Sequence, residues 1–184
     1  MKHSSFWQAS GFAISTLIGT LLHFLYDWTG GSRLAAPFSG VNESTWEHMK
    51  LLYWPLILFA VIQHFFFRDE KNYWCIKLAA TALGLLLIPV LFYTYNGIFG
   101  KSPDYVNIAI FYIAAAAAFL LEWWAFRKVF LKCKHPQLAL GVLLFIGVLF
   151  VVFTFNTPNI PLFRDPVTGE FGISQQVHSS APIY

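Results

Sequence analysis

Long apolar runs alternate along the chain with short polar connectors that carry glycine or proline. The runs approach the length of about 20 residues that a helix needs to cross the roughly 30 Å hydrocarbon layer of a bilayer. The first covers residues 8–27 and leads into residues 28–41, where Gly30, Gly31, Pro37 and Gly40 break regular structure outside the hydrocarbon. A second helix is predicted from residues 42–44 to residue 67; its apolar part begins at Leu51, so its first two turns stand at the interface. A third span covers residues 73–93, with Lys77 snorkelling from its start to the headgroups and Pro89 bending its last turns. Ser102 reads as a helix cap with Pro103 at the first helical position, which starts a fourth span ending near residue 126. A fifth covers residues 137–155, and the rest of the chain is too polar and too broken to cross again. The expected fold class is therefore all-α. It is a polytopic transmembrane bundle of about five spans in residues 1–156, followed by an ordered or partly ordered tail in 157–184.

Composition supports the same solvent. Hydrophobic residues make up 57% of the 184 and charged residues only 11%, against roughly 25% charged in soluble domains, so the lipid bilayer is the first partner implied. The basic residues sit in connectors instead of a patch, which gives no support to a nucleic-acid partner. Their distribution sets an orientation: Lys2, Arg68, Lys71, Lys77, Arg127, Lys128, Lys132 and Lys134 fall on one side, while Arg33, Lys50, Lys101 and Arg164 fall on the other. The richer side faces the cytoplasm, which puts the amino terminus in and the carboxyl tail out. The run after Lys2 lacks a small-residue cleavage site and reads as the first span. Cys75 and Cys133 then lie near the reducing face and are expected as unbonded small fillers. Trp7, Trp28, Trp46, Trp74, Trp123 and Trp124 fall near span ends, as in an interfacial aromatic belt.

Polar residues gather at the outer mouth of this arrangement. Thr16, Thr20, His23 and Asp27 are spaced four, three and four, so they share one stripe of the first helix and His23 can reach Asp27 one turn away. In the segment from Asn42 to Lys50, Ser44 with Glu47 fits a capping box, and Glu43 and Glu47 suit the positive end of the helix. On an ideal helix Glu43, Glu47, Lys50 and Trp54 share a face while His48 points about 100° away, so only an irregular cap brings all of them together. Asp104, Asn107 and Glu122 share a face of the fourth span, and Glu122 is expected to pair with Arg127 or Lys128. Asp165-Pro166 and Thr168-Gly169 support turns, and Leu162, Phe163 and Phe171 give the tail something to pack over the mouth.

The candidate polar site comprises His23, Asp27, Glu43, Glu47, His48, Lys50, Asp104, Asn107 and Asp165. Imidazole with carboxylate suits a divalent metal such as zinc, and His23, Glu47 and His48 are the candidate ligands. The competing reading is a hydrogen-bonded cap that fixes the first two helices in a non-catalytic accessory protein or permease subunit, one that docks another membrane component or itself. The HExxH, Walker A, GxSxG and CxxC patterns are absent, so no reaction class is assigned.

The segment Asn42-Glu43-Ser44-Thr45-Trp46-Glu47-His48 follows the span that carries His23, and a late segment runs from Pro161 to Pro166 with Gly169 and Phe171-Gly172. Together they resemble an uncharacterised family of small bacterial multi-span membrane proteins that share an Asn-Glu-Ser-x-Trp-Glu-His segment. The resemblance implies the architecture and no activity.

Overall fold

In the computed structural model, which describes residues 4–128 and 133–173, five helices carry the chain: α1 (Ser4–Trp28), α2 (Thr45–His64), α3 (Tyr73–Phe99), α4 (Asp104–Arg127) and α5 (Pro136–Phe155). Residues 174–184 of the expected tail, with His178, and Lys2 and Lys132 of the charge count lie outside the described residues. The described chain has no named strand.

The helix ends follow local chemistry, in places differently from expectation. Ser44 caps α2, its hydroxyl accepting the Glu47 N–H at 3.4 Å. The box is not reciprocal, because the Glu47 carboxylate takes the Val41 N–H at 3.1 Å while the Ser44 N–H goes to Asn42 Oδ1 at 2.9 Å. α3 runs through Pro89 to Phe99 and does not stop near residue 93. In an apolar surrounding a broken helix would leave several backbone groups unsatisfied, whereas one proline removes a single donor. Pro103, not Ser102, is the cap of α4. Ser102 joins two helices instead: its N–H donates to Asn96 Oδ1 at 2.7 Å and its hydroxyl to Asn107 Oδ1 at 2.8 Å.

The first four helices run antiparallel in succession: His23 late in α1 stands beside His48 early in α2, Tyr73 at the start of α3 donates to the Ala60 carbonyl late in α2, and Lys77 early in α3 meets Glu122 late in α4. Ser5 of α1 meets Trp123 and Arg127 at the end of α4, and Lys50 near the start of α2 meets Thr154 near the end of α5. α1, α3, α4 and α5 are each long and apolar enough to cross a membrane. α2 is more polar and touches all four, and 12 of its 20 residues are buried. Its neighbours shield much of it from lipid, so Glu47, Lys50 and Gln63 are tolerated there as buried polar groups. Two glycines let α1 lie close: a Cβ on Gly11 would stand 2.5 Å from the Phe59 and Phe119 rings, and one on Gly19 would stand 2.6 Å from the Phe111 ring and 2.9 Å from the Leu51 carbonyl oxygen.

Several expectations are corrected at the end of the bundle that holds the start of α1. Lys77 does not snorkel; its ammonium lies 2.6 Å from Glu122 Oε2, both residues being buried, and Gln8 Nε2 donates to the same oxygen at 3.3 Å. Glu122 therefore pairs with Lys77 and not with Arg127 or Lys128. An ion pair across α3 and α4 compensates two charges that the interior would otherwise hold alone. Arg127 instead lies 4.3 Å from the Trp123 ring and donates to Ser5 Oγ at 2.8 Å. Cys75 and Cys133 are joined as a disulfide, against the expectation of two unbonded thiols. The Asn72 side chain accepts the Cys133 N–H at 2.9 Å and holds the start of α5's approach beside the start of α3, where the two Cα atoms are 6.0 Å apart. Trp46 is no belt residue; it is buried against Phe150 and Phe163, with ring centroids 4.5 and 4.6 Å away.

At the opposite end the segment 156–173 folds back on the bundle. It makes a 3-10 turn at Pro161–Phe163, and a bridge joins Arg164 to Phe171. Asn42 Nδ2 donates to the Gly172 carbonyl at 2.8 Å, tying this segment to the approach to α2.

Candidate functional site

The irregular approach to α2 builds the site. Because Ser44 is the cap, Glu43 lies outside the helix and is free of its geometry. The Glu43 N–H donates to Asp165 Oδ2 at 3.4 Å, and Asp165 Oδ1 accepts the N–H groups of Val167 at 2.7 Å and Thr168 at 3.2 Å. Asp165 is thus a buried fixing point between the tail and the Glu43 backbone. The Glu43 carboxylate turns between two imidazoles: Oε1 is 3.5 Å from His23 Nε2 and Oε2 is 3.7 Å from His48 Nε2. The two rings stand 5.9 Å apart, so α1 and α2 do meet here.

His48 is oriented by its own helix. Its Nδ1 lies 2.9 Å from the Ser44 carbonyl oxygen. A carbonyl only accepts, so Nδ1 carries the proton, and in the neutral ring Nε2 presents a lone pair towards Glu43. His23 is seated against Gly40, where a Cβ would lie 3.3 Å from Nδ1. The loop holding Gly40 is fixed through Ser39, whose hydroxyl accepts the Tyr26 N–H at 2.8 Å and donates to the Leu22 carbonyl.

The remaining candidates divide. Glu47 and Lys50 are not part of the imidazole group; Lys50 is fully buried, with its ammonium on Glu47 Oε2, on the Ala36 carbonyl at 2.8 Å and on Thr154 Oγ1 at 3.0 Å. This contact ties α2 to the preceding loop and to α5. The proposed ligand set His23, Glu47 and His48 therefore does not assemble, because Glu47 is committed to Lys50 while Glu43 takes the place beside the histidines. Among the described residues, no group of three or more His, Cys, Asp or Glu side chains is arranged to hold a metal ion. Asp27 is exposed and has no ion pair with His23, which faces Glu43. The threonine stripe needs no partner on another helix, since Thr16 donates to the Phe12 carbonyl at 2.8 Å and Thr20 to the Thr16 carbonyl at 2.9 Å.

Beside the imidazole group α1 and α4 part to leave a cleft of about 430 Å³. His23, Glu43, His48, Asp104 and Asn107 line its polar end, and Leu51, Phe111, Tyr112, Ile108 and Phe24 line most of the rest together with Gly19 and Thr20, with Val167 of the tail at the edge. A water-sized hole of about 10 Å³ lies behind Glu43 and His48, against Asn107 and Phe92.

A family of unknown function, DUF6512, matches residues 1–173 by its family model. The chain belongs to this family. No curated protein and no solved structure matches it. The DUF6512 match takes in all five helices and the folded tail, so every residue of the cleft lies inside it. The expected resemblance to an uncharacterised family agrees with this membership. Sequence reasoning missed Ser39 and the cleft-wall residues Ile108 and Tyr112. The aromatic and apolar ones carry no signal that separates a cleft wall from a lipid-facing position. Ser39 offered only its place in a glycine-bearing and proline-bearing loop.

Proposed function

We propose that this DUF6512 chain is an integral membrane protein that binds a small ligand in the cleft between α1 and α4, with Glu43, His23 and His48 as its polar recognition group. The observation that carries the reading is the convergence of these three side chains from two helices and a loop on one end of a 430 Å³ cleft. Ligand sites of small molecules commonly occupy about 300–1,000 Å³, with mostly apolar walls and a few placed polar groups. Asp165 acts on this site through the Glu43 backbone, and Glu47 with Lys50 supports it by fixing the start of α2. The Lys and Arg distribution supports an orientation with the amino terminus in the cytoplasm and the cleft's polar end outside.

Native mass spectrometry tests the reading on protein released from membranes in mild detergent. The wild type is expected to carry a bound small molecule, and Ile108→Trp, which fills the cleft from its wall, is expected to lose it. A wild type that carries nothing, or an adduct that survives in Ile108→Trp, overturns the proposal. Elemental analysis of the same samples separates an inorganic ligand from an organic one.

A further inference from the structure

The walls and the polar end of the cleft make different demands, and together they define a class of ligand. Phe24, Ile108 and Tyr112 are 44%, 58% and 39% exposed. They lie on α1 and α4, two helices apolar enough to cross a membrane, so with the chain in a bilayer, as proposed above, their exposed surface would face lipid and the cleft would open sideways between those helices. Below the opening the helices close again, where Gly19 of α1 approaches Phe111 of α4. A molecule arriving from the bilayer therefore meets apolar walls along its length and the imidazole and carboxylate groups at one end.

Charge decides what that end accepts. Glu43 and Asp104 line it, no lysine or arginine among the described residues does, and Lys50 is turned away into its own ion pair. A phosphate or carboxylate head would meet two carboxylates with no fixed cation to offset them. A neutral His48 ring would add a second argument. In that state its Nε2 lone pair and Glu43 Oε2 face each other at 3.7 Å as two acceptors. An ammonium placed there donates to both, and it has a third proton for Asp104 or for the side-chain amide of Asn107, which line the same end.

We infer that the cleft takes up a single-chain amphiphile with a primary ammonium head from the surrounding leaflet, the head seated on Glu43 and His48 and the chain lying along Ile108, Tyr112 and Phe24. The inference rests on the ligand-binding reading above and names the ligand class for that same cleft. Glu43 supplies the countercharge, and His48 selects a head that can donate.

The test uses the full chain in phosphatidylcholine nanodiscs titrated with four twelve-carbon probes: dodecylammonium, dodecyl trimethylammonium, dodecanol and dodecyl phosphate. Occupancy is read by native mass spectrometry. Saturable binding of dodecylammonium, at least about tenfold tighter than of dodecanol or dodecyl phosphate, is expected, as for a hydrogen-bonded charge pair. The trimethyl head keeps the charge and lacks the donors, so it is expected to bind several-fold more weakly than dodecylammonium. Glu43→Gln is expected to lose about tenfold for dodecylammonium alone. Its side chain is half exposed, and an unchanged thermal melt shows that the variant is folded. Asp104→Asn serves as a second variant, with a smaller loss in the same direction.

Equal binding of all four probes, with Ile108→Trp still abolishing it, overturns the ammonium inference and leaves the cleft a binding site. Preference for dodecyl phosphate, or stoichiometric zinc lost on Glu43→Gln, overturns it in favour of an anionic or a metal ligand. Binding that ignores Ile108→Trp removes both this inference and the reading beneath it.

Discussion

Replacing Lys50 by methionine isolates the contact that holds the start of α2. The ammonium is fully buried and meets Glu47, the Ala36 carbonyl and Thr154. Methionine fills much of the same volume, so the loss is electrostatic. It leaves the Glu47 carboxylate buried, with the Val41 N–H as its remaining donor among the described residues. Removing one partner of a buried ion pair costs about 3–5 kcal/mol. The Ala36 carbonyl loses a donor, worth about 1 kcal/mol. Thr154 loses little, because its hydroxyl already donates to the Phe150 carbonyl at 2.8 Å. Lys50→Met is therefore expected to lower stability by about 4 kcal/mol. Adding Glu47→Gln removes the stranded charge and keeps an oxygen for Val41, so the double variant is expected to recover about half of that loss. Unfolding by SDS in mixed micelles, followed by far-ultraviolet circular dichroism, measures both. A single variant within about 1 kcal/mol of the wild type, or a double variant as unstable as the single one, would refute the reasoning.

Three further outcomes are expected. Gly19→Val places a side chain 2.6 Å from Phe111 and 2.9 Å from the Leu51 carbonyl oxygen, and the backbone cannot yield cheaply, so a loss of about 1–3 kcal/mol is expected in the same SDS titration. Gly141→Ala meets nothing within 4 Å and is expected to gain about 0.5–1 kcal/mol; the reverse order of the two glycines would contradict the packing described. Alkaline phosphatase fused to the carboxyl end is expected to be active outside, by the charge count. An inactive fusion would show that the end bearing the Cys75–Cys133 disulfide faces the oxidising side and that the charge count misreads the orientation.

The helices were legible because lipid enforces long apolar runs, and the positions of α1, α4 and α5 differ from expectation by only a few residues at their ends. Pro89 misled the end of α3, since proline is a weak stop where the alternative is unsatisfied backbone in lipid. Site residues were harder to read. Helical periodicity correctly separates His48 from the face of Glu47 and Lys50, but it assigns Glu43 to that same face. Glu43 precedes the cap and obeys no helical periodicity, so its place between the two histidines follows from the loop, from Asp165 and from the Ser44 cap. Lys77 shows the same limit from another side. One lysine near a span end reads as a snorkelling residue until Glu122, 45 positions away, is brought beside it by antiparallel packing.

Three carboxylates on or beside helices of this bundle support the proposal that the cleft, and not the other polar clusters, takes a ligand. Glu122 and Glu47 are both buried, and each is held by a lysine that is buried with it, Lys77 and Lys50. Removing either partner strands a charge, so those pairs can exchange nothing without loss of the fold. Glu43 is half exposed and, among the described residues, has no lysine or arginine as ion-pair partner; its neighbours are two imidazoles, each with Nε2 turned towards it. Its backbone, by contrast, is fixed by Asp165, and the loop beside it is fixed by Asn42 on Gly172. Fixed main chain with an incompletely matched carboxylate is the arrangement that recognition requires, because the group is preorganised and still has bonds to give. The tail contributes twice, positioning Glu43 through Asp165 and edging the cleft with Val167. A ligand seated there, as proposed, would therefore lie beside the segment that folds over the cleft.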